Sequence, residues 1–269
     1  MESIQGFAPV EDGQLYYEVE GEGPPLVLVH GFSLDTRMWD DQWAAFAGRH
    51  RVIRYDARGF GRSSVPVGPY TPVEDQAALQ DHLGVARAHV LGLSRGGGIV
   101  IDFALAYPER TLSLVAADAI LHGHAWHTFG YDLARVWGLG KEAPLDVVKE
   151  TWLSLPLLAS AMERPDLAAR LRVMVADYSG WHWLNRDQGR AVRPHAAERL
   201  AEIHVPTLIL NGEHDLPDFH AVAERLAQGI PDAQRVVLPG VGHMSNMEDP
   251  AAFNRVVLDF LATCPPPDI

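Results

Sequence analysis

A serine hydroxyl becomes a nucleophile at neutral pH when an imidazole takes its proton and a carboxylate holds that imidazole in the correct tautomer. The chain carries residues of all three types in suggestive settings. Ser94 lies in Gly92-Leu93-Ser94-Arg95-Gly96, a G-x-S-x-G pentapeptide. Asp215 closes the segment NGEHD, and His243 lies in PGVGHMSNMEDP. The chemistry such a set performs is acyl transfer. The serine attacks a carbonyl, the histidine returns the proton to the leaving group, and water resolves the acyl-enzyme.

These residues need elements to position them. The apolar run AHVLGLS (88–94) reads as a buried strand, and GGIVIDFALAYPER (97–110) reads as a helix with Ile99, Phe103 and Tyr107 at helical spacing. Ser94 therefore sits at a sharp strand-to-helix turn, which would strain its backbone and lift its hydroxyl above the sheet edge. The residues flanking such a turn nearly touch, which explains Gly92 and Gly96. Read by itself the pentapeptide is equally a glycine-rich turn around an ordinary serine. Three further features favour catalysis. His30-Gly31-Phe32 ends another strand, and the Phe32 N–H together with the Arg95 N–H is expected to form an oxyanion hole. Asp215 follows a strand, and His243 precedes the last helix, so the order Ser94, Asp215, His243 is the one this strand–turn–helix arrangement uses. Asp118, at the end of another strand, is the alternative acid; the GEHD setting favours Asp215.

The remaining elements follow from periodicity. Strands are expected at 14–23, 24–31, 51–59, 112–119, 205–212 and 234–240, and helices at 73–84, 217–229 and 250–262, with one more carrying Trp39, Trp43 and Phe46. Asp218 is expected to cap the helix at 217–229, with Gly229 just past its end. Strands alternating with helices imply an α/β fold: a mostly parallel central sheet flanked by helices. From 121 to 194 the pattern is helical and rich in tryptophan. The expected organisation is a core of 1–120 and 195–269 with a helical cap inserted at 121–194. Cap tryptophans most often pack a core, but Trp126, Trp152 and Trp181, with Arg95, are the candidates for substrate contact.

Composition excludes several classes. The 269-residue chain is 47% hydrophobic, enough for a sizeable core, and its formal net charge of −13 argues against nucleic acid and anionic membrane surfaces as partners. Cys264 is the single cysteine, so no internal disulfide or cysteine-based metal site is expected. His122, His124 and His127 lie close together in HGHAWH, but no acidic partner is evident nearby and no metal is expected. The N-terminal MESIQGFAP lacks the pattern of a secretory signal, and no apolar run is long enough to span a bilayer, so the expected location is cytoplasmic. The tail CPPPD is expected to fray.

VHGF, YDARGFGRSS, LGLSRGGG, NGEHD and GVGHMSNMEDP together resemble the α/β-hydrolase superfamily over nearly the whole chain. Within it the chain is similar to small bacterial serine esterases, to enol-lactonases such as 3-oxoadipate enol-lactonase, and to cofactor-free haloperoxidases. The resemblance implies a cytoplasmic serine hydrolase with no cofactor, acting on a small, largely apolar ester or lactone. It makes the DARGFGRS loop architectural, so Asp56 and Arg58 are expected to be structural. Arg95 departs from the uncharged residue common in relatives; it would pair with a nearby carboxylate or hold a substrate carboxylate. A serine, not an aspartate, at the turn argues against haloalkane dehalogenases and epoxide hydrolases. The rivals are C–C bond hydrolysis or perhydrolase chemistry on the same residues, and a catalytically silent ligand receptor.

Overall fold

Runs that are apolar at every position become strands covered on both faces. The computed structural model, which describes residues 3–264, begins with β1 (Ile4–Val10), β2 (Gly13–Glu20), β3 (Pro25–Val29), α1 (Asp40–Ala47) and β4 (Arg51–Tyr55). Next come α2 (Pro72–His82), β5 (Ala88–Leu93), α3 (Arg95–Ala106) and β6 (Thr111–Ala117). Five helices follow without an intervening strand: α4 (Thr128–Leu139), α5 (Leu145–Leu153), α6 (Ala159–Met162), α7 (Pro165–Asp177) and α8 (Trp181–Leu184). The chain then returns through β7 (Thr207–Gly212), α9 (Pro217–Gly229), β8 (Gln234–Leu238), α10 (Ser245–Glu248) and α11 (Pro250–Thr263). The CPPPD tail beyond Cys264 lies outside the described residues.

One eight-stranded sheet has the order β1-β2-β4-β3-β5-β6-β7-β8. The pairs β1–β2 and β2–β4 are antiparallel, and from β4 to β8 every pair is parallel. Every residue of β5, β6 and β7 is buried. Val29 pairs with Gly92, Gly92 with Ala116, and Ala117 with Leu210, so β3, β5, β6 and β7 end side by side. That shared edge, where ligands bind in open parallel sheets, is where Phe32, Ser94, Asp118 and Asp215 begin their loops.

Four local readings differ from the expectations. β1 is additional: in IQGFAPV only Ala8 is buried, and Gly6 and Pro9 obscure its alternation, as an edge strand tolerates. The single turn α10 is also additional. Asp218 does not cap its own helix, whose N-cap is Leu216 with Pro217 in the first turn. Its buried carboxylate instead accepts the His127 N–H (3.2 Å) and the Phe129 N–H (2.7 Å), tying the start of α4 to α9. Gly229 is the last residue of α9 rather than the one beyond it. No helix among the described residues is long and apolar enough to cross a membrane.

Candidate active site

Ser94 joins β5 to α3 with φ 58° and ψ −116°, in the region that favours glycine. Such a conformation costs about 1–3 kcal/mol and persists because its surroundings over-determine it. The Ser94 N–H donates to the Ala117 carbonyl (2.9 Å), and its own carbonyl accepts the Gly98 N–H (3.1 Å) and the Ile120 N–H (3.0 Å). The glycines are explained by contact. A Cβ on Gly92 would fall on the Gly96 carbonyl, and a Cβ on Gly96 would fall on the Val29 carbonyl. The turn is packed against β3 as tightly as backbone allows.

The loop after β3 lies over this turn. A Cβ on Gly31 would sit 3.6 Å from the Ser94 Cβ. Its shape is held by His30, which is fully buried. The Ala57 N–H donates to His30 Nε2 (2.9 Å), so Nδ1 carries the proton and donates to the Gly31 carbonyl (2.7 Å). Burial pushes the His30 pKa down to about 4, so the ring stays neutral and the tautomer is settled. The Phe32 N–H has no acceptor among the described residues. The Arg95 N–H is in the first turn of α3, where no intrahelical acceptor exists. Two amides beside Ser94 are thus free to meet an anion.

Asp56 and Arg58 hold the neighbouring loop. Asp56 accepts the Thr36 N–H and the Arg62 N–H, each at 2.8 Å, and Arg58 grips Asp75 through Nε (2.9 Å) and Nη2 (2.5 Å). Both pairs are buried and neither faces Ser94's cavities.

His243 Nδ1 lies 2.9 Å from Asp215 Oδ2, while the Leu216 N–H donates to Asp215 Oδ1 (2.7 Å). An ionised carboxylate only accepts, so Nδ1 carries the proton and Nε2 keeps its lone pair. That Nε2 is buried without a hydrogen-bond partner. Ser94 and His243 line one narrow cleft of about 20 Å³. No direct hydrogen bond joins them; contacts between catalytic groups often tighten only around bound substrate.

Asp118 stands behind this pair. It accepts the Gly212 N–H at 2.8 Å and the Ser245 hydroxyl at 2.5 Å. Complete burial, then the adjacent Asp215, hold its carboxyl well above the ordinary range. The geometry therefore gives the imidazole to Asp215. Ligand atoms of Asp118, Asp215 and His243 fall within 4.8 Å of one another, the one metal-like grouping among the described residues, yet hydrogen bonds already occupy the carboxylates. His122, His124 and His127 do not converge; His122 Nδ1 turns to Asp102 Oδ2 at 3.0 Å.

Glu248 of α10 is a positioning residue that sequence reasoning missed. Its buried carboxylate accepts the Gly242 N–H (2.9 Å) and the Met244 N–H (3.2 Å), bracketing His243, and the Ser160 hydroxyl of α6 at 2.5 Å. A glutamate following a histidine by five residues carries no pattern that would flag it. Gly212 is required here too, since a Cβ would strike the Gly242 carbonyl.

Beyond Ser94 a larger cavity of about 230 Å³ opens between α3 and the inserted helices. Arg95 and Trp152 line it, with Tyr70, Phe129, Leu133 and Trp137, which sequence reasoning did not single out. Trp126 and Trp181 do not line it. Trp126 packs on Phe129 and Phe219, ring centroids 5.3 Å away in each case, and Trp181 packs on the edge of His182 at 5.0 Å. Trp126 packs on the core while Trp181 stays half-exposed beside its chain neighbour, because a tryptophan in a helical stretch does not say what, if anything, will cover it.

Comparison with known proteins agrees with this architecture. Residues 24–250 match the family described as alpha/beta hydrolase fold. RutD of Azorhizobium caulinodans, named for carbamate hydrolysis, is 32% identical over 93% of this chain and 95% of its own. The 3-oxoadipate enol-lactonase 2 of Acinetobacter baylyi is 30% identical over 92% of each chain. The crystal structure of a hydrolase from Pseudomonas aeruginosa superposes with a TM-score of 0.83 at 33% identity, covering 96% of this chain and 98% of that one. With the sheet order, the strained serine turn and these matches together, the chain belongs to the α/β-hydrolase family and is a hydrolase.

Proposed function

We propose that this hydrolase cleaves a carboxylic ester or lactone through an acyl-enzyme on Ser94. The observation that carries the reading is the Asp215–His243 pair, in which Nδ1 is engaged and Nε2 is left without a partner, on a ring that shares a cleft with Ser94. Ser94 Oγ attacks the carbonyl carbon as His243 Nε2 takes the hydroxyl proton. The carbonyl π electrons move to oxygen, and the Phe32 and Arg95 amides receive that oxyanion, each donor worth about 3 kcal/mol. Collapse breaks the bond to the leaving oxygen, which takes the proton from His243. Water then repeats the sequence on the acyl-enzyme and releases the acid. Every proton needed is carried by His243 or water, so the cycle calls for no cofactor.

The test is turnover of p-nitrophenyl acetate beside labelling by a fluorophosphonate probe. Wild-type protein is expected to do both and Ser94→Ala neither. Labelling at Ser94 without ester turnover, but with cleavage of a ring-fission dienone, would transfer the reading to C–C hydrolysis. Absence of labelling in wild type would end it.

A further inference from the structure

The larger cavity is apolar along Ile99, Ile120, Phe129 and Trp137, yet Arg95, Tyr70 and Asp102, which also line it, each keep a buried polar atom without a hydrogen-bond partner at ordinary geometry, Asp102 through Oδ1. Arg95 forms no ion pair with any described residue, and its Nη1 is buried with no hydrogen-bond acceptor. The guanidinium rests 4.9 Å from the centroid of the Phe60 ring, which supports the cation but satisfies none of its N–H groups. The Tyr70 hydroxyl, on a residue 6% exposed, makes no hydrogen bond of ordinary geometry, although the Asp187 carboxylate lies close enough to act as a weak acceptor. Burial raises its pKa to about 12, so it keeps its proton, and it lies close enough to Arg95 to feel that charge. Buried donors are normally satisfied. A half-buried guanidinium without an ion pair is the more unusual in a chain of net charge −13.

The two chambers also divide the substrate. His243 must protonate the leaving oxygen, and His243 lines only the narrow cleft. The leaving oxygen therefore faces that cleft, while the acyl part enters the larger cavity with Arg95. We propose that Arg95 and Tyr70 form an anion subsite, so that the substrate is an ester whose acyl chain ends in an ionised carboxylate, a half-ester of a short dicarboxylic acid. This rests on Ser94 and His243 acting as proposed above.

Two acidic side chains set its limits. Asp102, seven residues along α3 from Arg95, is about 10 Å away by helical rise and is engaged through Oδ2 by His122 and the Val192 N–H (3.2 Å). Asp187 lines the same cavity: its Oδ1 accepts the Gly189 N–H (2.9 Å), and its carboxylate competes for the Tyr70 hydroxyl. Asp187 opposes an anion, so the subsite suits a single carboxylate and not a multiply charged group.

The experiment follows hydrolysis of matched methyl esters by pH-stat: monomethyl succinate against methyl butyrate, and monomethyl glutarate against methyl pentanoate. Each pair exchanges a terminal methyl for a carboxylate. Wild type is expected to favour the acid of at least one pair in kcat/KM by about 10-fold or more. The ratio falls about 10- to 100-fold in Arg95→Met, falls about 3-fold or more in Tyr70→Phe, and rises in Asp187→Asn. Because both esters are measured on the same variant, damage to the oxyanion hole cancels. No preference in wild type, or a ratio untouched by both Arg95→Met and Tyr70→Phe, overturns the subsite. Calorimetric binding of glutarate against glutaramide reads the subsite without turnover. Glutarate bound preferentially by wild type and lost in Arg95→Met, with no ester hydrolysed, upholds the subsite and removes the hydrolytic reading. Neutral esters hydrolysed with no glutarate preference does the reverse.

Discussion

Two carboxyls compete for the role of acid in this site, and replacing each by asparagine separates them. Asp215 holds His243 Nδ1 at 2.9 Å. Asparagine there presents either an amide N–H that repels the imidazole N–H or a weaker carbonyl acceptor, and the neutral side chain no longer stabilises imidazolium. Loss of the corresponding carboxylate in a serine triad costs about 10⁴ in kcat, or about 5 kcal/mol of barrier. Asp118 is different. Its carboxyl is pushed upward by burial and by Asp215, so a neutral amide disturbs the site less here than at Asp215. Asparagine still accepts the Gly212 N–H, and the Ser245 hydroxyl, now 2.5 Å from Oδ2, can turn to accept from the new amide. Asp118→Asn is therefore expected to keep kcat within about 3-fold and stability within about 1 kcal/mol. Asp118→Ala strands both donors and should cost about 2–5 kcal/mol of stability. Steady-state hydrolysis of p-nitrophenyl acetate gives the rates, and urea unfolding gives the stabilities. If Asp118→Asn loses as much rate as Asp215→Asn, or Asp215→Asn keeps a tenth of wild-type rate, the assignment of the acid is wrong.

Gly96→Ala should destabilise by about 1–3 kcal/mol and remove most activity, because the new methyl lands on the Val29 carbonyl and must push β3 from the serine turn; unfolding with unchanged midpoint would contradict this. Glu248→Ala frees the Gly242 and Met244 amides around His243, and kcat should drop about 10- to 100-fold while Glu248→Gln, which keeps an acceptor, recovers part of it; equal rates for the two variants would deny Glu248 a positioning role. His30 titrates near 4 in the folded chain against an unfolded value near 6.5, so the unfolded state binds the extra proton between those values and stability is lost as pH falls. The stability difference between wild type and His30→Asn should be full above about pH 6.5 and shrink by about 3 kcal/mol toward pH 4. Taking a difference isolates His30 from Asp56, whose raised pKa near 6 acts in the opposite sense. A difference constant from pH 7 to pH 4 in urea titrations would show that His30 is not held neutral.

Much of this protein was readable before any coordinates. The runs VLGL, LSLVAA and TLILNG are mostly apolar and buried at every position because their strands are covered on both faces, and that requirement acts locally on each run. The glycines around Ser94 were legible for a similar reason: a tight strand-to-helix turn leaves no room for side chains. What sequence could not decide was which distant groups would meet. Asp118 and Asp215 both follow strands, and only the alignment of β6 with β7 places one against His243 and the other behind it. Trp126, Trp152 and Trp181 are alike as residues, but only the path of the inserted helices turns Trp152 toward Ser94. Asp218 reads as the cap of α9 and caps α4 instead, across the chain. Local rules set which residues are buried and where the backbone bends; the partner that each buried polar group finds depends on how separate elements pack, and no single segment carries that information.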